Sequence, residues 1–253
     1  MKFEDYKKNY TDFLIRNNLF DDNNFLIETQ VESLKEWGNE SLNDVLHWYN
    51  EVKNRSSMKV EEISLKDCDN WSFSSDNNDI FHNSKKFFSI IGIKVSSKER
   101  EVGNQGWSQP ILKEFNFDGG IVGLIRKKID DIPYYLVEAK AEPGNYNLIQ
   151  ISPCLQATFS NIEQTHGGRK PYLVDYFLNP EKNNAKLLFE QWMSEDGGRL
   201  YKKRTKGMII EISKDHDIEI GKNFKWVSLF NIKELIKCET CINPHLRSLL
   251  SFL

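Results

Sequence analysis

The first 109 residues of this 253-residue chain contain no proline, and the whole chain has only seven. A stretch without proline can run as helix without losing a backbone donor. Cysteine is sparse: four residues, at Cys68, Cys154, Cys238 and Cys241. The last two form a C-x-x-C in Cys238-Glu239-Thr240-Cys241. A structural zinc site needs four ligands, and neither a second such pair nor an H-x-x-x-H accompanies it; only His245 lies near. These thiols read as incidental neighbours of a helix start, and the five scattered histidines offer no metal pair. No metal is expected.

Neither sign of charge dominates, with 34 Lys and Arg against 37 Asp and Glu. That balance argues against a general nucleic-acid binder, although Lys202-Lys203-Arg204 remains available for phosphate. There is no apolar run of roughly 18 residues, so no transmembrane helix and no membrane partner are expected. The opening MKFEDYKKNYTDFLIRNN is too acidic and polar for a signal peptide, which makes the cytoplasm the default location. Also missing are a G-x-G-x-x-G after a strand, a G-x-x-x-x-G-K-[ST] and a G-x-S-x-G, so dinucleotide, P-loop and hydrolase readings lack their signatures. No internal repeat or low-complexity tract occurs.

What is present reads as helix, then strand, then helix. Ser41-Leu42-Asn43-Asp44 has the form of a capping box, and Leu42, Val45, Leu46 and Tyr49 follow on one helical stripe. Residues 54–78 are polar and read as loop. FFSIIGIKV, from Phe87 to Val95, is rich in aromatic and β-branched residues and reads as a strand. Further strands are predicted at 121–127, 134–142, 148–152, 171–177 and 207–212, with a short amphipathic segment at 185–193. Gly119-Gly120-Ile121-Val122-Gly123 reads as a turn entering a strand. Asn231 with Glu234 predicts one helix start, and Asn243 before Pro244 another, with asparagine as N-cap and proline at the first helical position. The expected class is α+β, with mostly antiparallel or mixed strands and helices packed around them.

The densest polar stretch is AKAEPGNYNLIQISPCLQATFSN, residues 139–161. It places Lys140, Glu142, Asn145, Gln150, Gln156, Thr158, Ser160 and Asn161 among strand and turn signals. Polar groups that dense are costly to bury without partners or a ligand. On the strand leading in, Tyr135, Val137, Ala139 and Ala141 alternate with Glu138, Lys140 and Glu142. One face therefore carries acid, base, acid before the chain turns at Pro143-Gly144-Asn145. The chemistry is placed here.

These residues also carry a resemblance. His82-Asn83-Ser84-Lys85-Lys86-Phe87-Phe88, Trp107-Ser108-Gln109-Pro110, AKAEPGN…QISPCLQATFSN, Thr165-His166-Gly167-Gly168, Ser194-Glu195-Asp196-Gly197-Gly198, Lys203-Arg204, Lys225-Trp226 and Asn243…Arg247-Ser248-Leu249-Leu250 occur in the order shown by the NDP-hexose 2,3-dehydratases of deoxysugar biosynthesis. The chain resembles that family over residues 70–253. The resemblance implies a Nudix-like mixed sheet with flanking helices, without the Nudix metal-binding box, over residues 71–253, preceded by a helical segment at 1–70. Family members usually carry two tandem copies, so a single copy implies a homodimer. Three departures stand out: Glu138 where the family usually has Gln, Cys154 where it has Thr, and Arg204-Thr205-Lys206-Gly207 where it tends to Arg-Asn-Arg-Asn. They bear on the sugar, the nucleotide or the pace of reaction.

The implied reaction removes water across C2 and C3 of an NDP-4-keto-6-deoxyhexose, most often dTDP-linked. The C4 ketone already acidifies the C3 proton, so no cofactor is needed to begin. In this reading Glu142 is the base or orients it, and Lys140 steadies negative charge near the ketone; the same pair could instead be a salt bridge at a strand end. His166 is a candidate acid for the departing hydroxyl, or caps the turn before Gly167. Tyr172 is a second candidate acid. Gln150, Gln156, Thr158, Ser160, Asn161, Asn145 and Gln109 are candidate hydrogen-bonding groups for substrate. Arg199, Arg204 and Arg247 are candidates for the pyrophosphate. Trp107 and Trp226 could stack on the base. A reductase is expected to follow, because the elimination product is unstable. A non-catalytic NDP-sugar binding module and a keto-sugar isomerase remain alternatives.

Overall fold

The proline-free N-terminal third folds as three helices. The computed structural model describes the chain except residues 21–22, 75, 77–78, 87, 98–105, 116–118, 166 and 195–197. Helices α1 (Phe3–Arg16), α2 (Asn24–Glu32) and α3 (Leu42–Arg55) come first. The capping box at Ser41 and Asp44 forms as expected. On α3, Val45, Trp48, Tyr49 and Val52 are buried, while Leu42 and Leu46 pack beside them.

Strands β1 (Trp71–Phe73), β2 (Ile80–His82), β3 (Phe88–Val95) and β4 (Trp107–Glu114) make one antiparallel four-stranded sheet. The second sheet has seven strands: β5 (Gly120–Ile129), β6 (Ile132–Ala141), β7 (Ile149–Pro153), β8 (Leu155–Thr158), β9 (Ala185–Ser194), β10 (Arg204–Ile212) and β11 (Phe224–Ser228). It is mixed: β5 and β10 run parallel, and its other pairings are antiparallel. Short helices α4 (Phe159–Ile162), α5 (Val174–Leu178), α6 (Leu229–Leu235) and α7 (Pro244–Leu250) complete the fold. The α+β class, with a mixed sheet and flanking helices, is as the sequence predicts.

Strand alternation splits the core in two. Val122 and Leu124 of β5, with Ile209 of β10, join one cluster that α3, α6 and α7 cover. Ile121 and Ile125 of β5, with Met208 and Ile210 of β10, join another that Val174 and Phe177 of α5 cover. Arg126 continues β5 and is fully buried. Its Nη2 donates to Glu28 Oε2 and to Glu32 Oε1, each at 2.6 Å, and its Nη1 donates to Glu211. Tyr135 donates to the other Glu32 oxygen at 2.9 Å. A buried guanidinium needs such partners, and they tie α2 to the sheet.

Four local readings are corrected. Residues 171–177 are not a strand: a turn leads into α5, with Leu173 at φ 65°. The apolar positions Val174 and Phe177 fit helical spacing as well as strand, and a short run does not separate the two. Residues 185–193 are the edge strand β9, paired with β10. The cap of α6 is Ser228, whose hydroxyl accepts from Asn231 N–H at 3.2 Å; Asn231 instead donates its side-chain amide to Glu40 O at 3.0 Å. Of the 54–78 loop, residues 54–55 end α3, and the described residues beyond them include a 3-10 turn at Leu65–Asp67 and the short strand β1. Asn243 and Pro244 start α7 as expected.

Candidate active site

The acid-base-acid face of β6 opens into space rather than into core. Tyr135, Val137 and Ala139 are buried, whereas Glu138, Lys140 and Glu142 are partly exposed. The chain then reverses in a tight turn, where Glu142 N–H donates to Leu148 O at 2.9 Å. Asn145 serves that turn too, donating from its side chain to Leu148 O at 3.2 Å. Along β8, Leu155 and Ala157 enter the core, while Gln156 and Thr158 are left half-buried by the same alternation.

These two segments meet across a cavity of about 380 Å3 that Lys140, Glu142, Gln156, Thr158 and Asn161 line together. Lys140 Nζ lies 3.9 Å from Glu142 Oε1. Gln156 connects the pair: its backbone carbonyl accepts from Lys140 Nζ at 3.1 Å, and its side-chain Nε2 donates to Glu142 Oε1 at 2.9 Å. Asn243 in turn donates to Gln156 Oε1 at 2.8 Å. Thr158 caps α4 by accepting from Asn161 N–H, and its hydroxyl shares a 2.8 Å hydrogen bond with Ser160.

A second cavity, of about 640 Å3, lies on the other side of Lys140 and Gln156 and takes in Glu138, Cys154, Tyr172 and Phe224. Burial pushes the Glu138 carboxyl above its ordinary range; Lys140 pulls it down and Glu142 pushes it further up. Burial likewise raises the Cys154 thiol, which donates to Gly123 O at 3.3 Å. Tyr172 is half-exposed, donates its hydroxyl to Glu219 O and meets the Phe224 ring edge-on at 5.9 Å. It borders the larger cavity and not the one holding Glu142.

The remaining described candidates line neither cavity. Gln150 is buried and donates to Thr240 O at 2.9 Å. Trp107 donates to Gln109 at 2.6 Å on the four-stranded sheet. Trp226 packs against the second core cluster. Arg204 lies over the Trp192 ring at 4.4 Å, and Arg199 and Arg247 are exposed. None of the three arginines lines either cavity. His166 lies outside the described residues.

Two site residues escape sequence reasoning: Thr205 and His245 line the smaller cavity with Phe88 and with Lys203, whose basic cluster the sequence marks as available for phosphate. Lys203 is buried, paired with Glu114 and 5.3 Å from the Phe88 ring centre. Its place in Lys202-Lys203-Arg204 was a signal. His245 follows the Asn243-Pro244 cap, and that position at a helix start was the clue. Among the described residues, no group of three or more His, Cys, Asp or Glu is placed to hold a metal ion, and no helix is long and apolar enough to cross a membrane.

Comparison with known proteins adds an independent line. A sequence profile of the NDP-hexose 2,3-dehydratases matches residues 42–253. Three curated relatives are each described as a dTDP-4-dehydro-6-deoxy-alpha-D-glucopyranose 2,3-dehydratase. That of Amycolatopsis orientalis is 33% identical, over 83% of this chain and 44% of its own length. Those of Saccharopolyspora spinosa and Streptomyces violaceoruber are each 30% identical over 81% of this chain, and over 40% and 44% of their own lengths. The chain thus spans less than half the length of the relatives it matches. Among solved structures, two Ap4A hydrolase structures from Caenorhabditis elegans are 14% and 15% identical, cover 53% of this chain and 93% of theirs, and superpose with a TM-score of 0.32. A superposition that loose carries no inference about fold or chemistry.

Proposed function

The chain belongs to the NDP-hexose 2,3-dehydratase family, and from that premise we propose that it eliminates water across C2 and C3 of a dTDP-linked 4-keto-6-deoxyhexose in deoxysugar biosynthesis. The observation that carries this reading is the Lys140–Glu142 pair, held by one residue at a shared cavity.

The sugar sits over β6. The Glu142 carboxylate takes the C3 proton, and the electron pair passes into the C4 carbonyl as an enolate. The Lys140 ammonium stabilises the enolate oxygen, a contribution of about 3–4 kcal/mol for a well-placed donor. As the ketone re-forms, the C2–C3 double bond forms and the C2 hydroxyl leaves with a proton as water. His166 and Tyr172 are the proposed donors of that proton. Gln156, Thr158 and Asn161 line the cavity and bind sugar hydroxyls in this account; Asn145, Gln150, Ser160, Gln109, Trp107, Arg199, Arg204 and Arg247 line neither cavity and are proposed for parts of the substrate that extend beyond them.

The same reading includes a cytoplasmic location, a helical segment at 1–70 before the catalytic unit at 71–253, and a homodimer supplying what the longer relatives hold in one chain. A reductase follows, since the product is an unstable enol of a diketone. The test is incubation with dTDP-4-keto-6-deoxyglucose and mass analysis of the trapped product. A product lighter by one water is expected; substrate returned at unchanged mass refutes the assignment.

A further inference from the structure

Helix α7 is anchored without the help of His245. Just before it, Ile242 bridges to Ile151 of β7, and Asn243 N–H donates to Ile151 O at 3.0 Å. The Asn243 side chain caps the helix by accepting from Leu246 N–H at 2.9 Å, and Leu246, Leu249 and Leu250 bury its inner face in the core. Asn243 also donates to Gln156 Oε1 at 2.8 Å, which ties the helix start to the residue holding Glu142. His245, two positions on, is half-buried and lines the 380 Å3 cavity together with Lys140 and Glu142. A recess of about 210 Å3 is lined by Glu142, Thr205 and His245 as well. The carboxylate and the imidazole therefore border the same two spaces.

C2 and C3 of the sugar are bonded neighbours, so the base at one and the acid at the other must serve a single cavity. Tyr172 borders the larger cavity and not the one holding Glu142. Among the described residues around Glu142's cavity, Lys140 is engaged with Gln156 and Glu142, and Lys203 is paired with Glu114. Threonine hydroxyls do not titrate in the ordinary range, whereas an imidazole does so at about 6.5. Building on the functional reading above, we propose that His245 is a further catalytic residue, which hands a proton to the C2 hydroxyl as it leaves. Glu142 takes the C3 hydrogen as a proton, and the C2–O bond breaks as the C2–C3 double bond forms. The His245 imidazolium releases its proton to the departing oxygen, which leaves as water. Glu142 ends protonated and His245 neutral, and exchange with solvent resets both. His245 thus acts on the elimination, after the enolate has formed.

The test incubates wild type, His245→Asn and Glu142→Gln with dTDP-4-keto-6-deoxyglucose in D2O. Water loss is followed by mass, and the C3 hydrogen of recovered substrate by proton NMR. Wild type is expected to dehydrate the sugar. His245→Asn should do so about 10²–10⁴-fold more slowly, yet return substrate deuterated at C3, because Glu142 still removes that proton. Glu142→Gln should lose both exchange and dehydration. A residue that only shaped the cavity would slow the two together, so parallel loss in His245→Asn overturns the proposal. A folded His245→Asn protein that dehydrates at the wild-type rate also overturns it. If His245→Asn does not fold, His245→Gln is read in the same way. Wild type that returns the sugar undehydrated refutes the functional reading and this proposal with it; wild-type turnover beside either overturning result refutes His245 alone.

Discussion

Lys140 and Glu142 face each other 3.9 Å apart, yet each makes its short hydrogen bond to Gln156 rather than to the other. A salt bridge built only for stability closes to direct contact. This pair is held open by a third residue, with both side chains a quarter to a third exposed at the cavity. The arrangement keeps a cation and a carboxylate available to a ligand.

Glu142→Gln is therefore expected to lower kcat by about 10²–10⁴-fold, the usual contribution of a positioned base. Lys140→Met should lower it by about 10²–10³-fold. Both should melt close to wild type, since neither side chain is deeply buried. Initial rates and circular-dichroism melts check this; a folded Glu142→Gln protein with full turnover removes the residue from the mechanism.

Glu28 gives an acid-stability signature. Burial alone would raise its carboxyl, but Arg126, Lys128 and Lys7 outweigh that and hold it at about 2. A depressed folded value stabilises the fold above the ordinary carboxylate range, and the stabilisation is lost as pH falls through the folded value. Between about pH 4.5 and pH 2, Glu28→Gln should consequently lose less stability than wild type. Urea titrations at stepped pH give the comparison, and parallel curves for the two proteins would count against the Arg126 cluster as the cause.

Glu138 has the opposite sign. Its carboxyl is raised, chiefly by burial, so ionisation is disfavoured in the folded state and costs stability as pH rises past the ordinary carboxylate range. Glu138→Gln should then melt above wild type at neutral pH, with the advantage vanishing in acid. Paired melts at pH 4 and pH 7, read by calorimetry, decide it; an advantage independent of pH contradicts the argument.

Gly120 sets how closely β5 and β8 approach. A Cβ there would lie 2.3 Å from Ala157 O and 2.9 Å from Thr158 Cα, both backbone atoms. Gly120→Ala must push β8 away, at a cost of about 1–3 kcal/mol. It should also displace Gln156 and reduce turnover. Denaturant unfolding measures the first effect, and an alanine protein of wild-type stability would mean the strands can separate freely.

Much of this was legible from local pattern. The polar face of β6 follows from alternation over five residues, and the caps at Ser41 and Asn243 from residue type and spacing. Local pattern failed where short apolar runs fit two periods, as at 171–177, and where two cap residues compete, as with Ser228 and Asn231. It also could not rank the arginines. Arg199, Arg204 and Arg247 have suitable chemistry and none of them lines either cavity, whereas Lys203 and His245 line the smaller one.

The amino-acid order alone determined the family, through motifs ordered along most of the chain, and the α+β class and the row of charge along one strand, which depend on neighbours a few positions apart. Only tertiary packing decided that Gln156 reaches Glu142, 14 positions back, and Asn243, 87 positions ahead. Those contacts arise where the end of β6, β8 and the start of α7 come together, and no local periodicity encodes which side chains tertiary packing brings within hydrogen-bond distance.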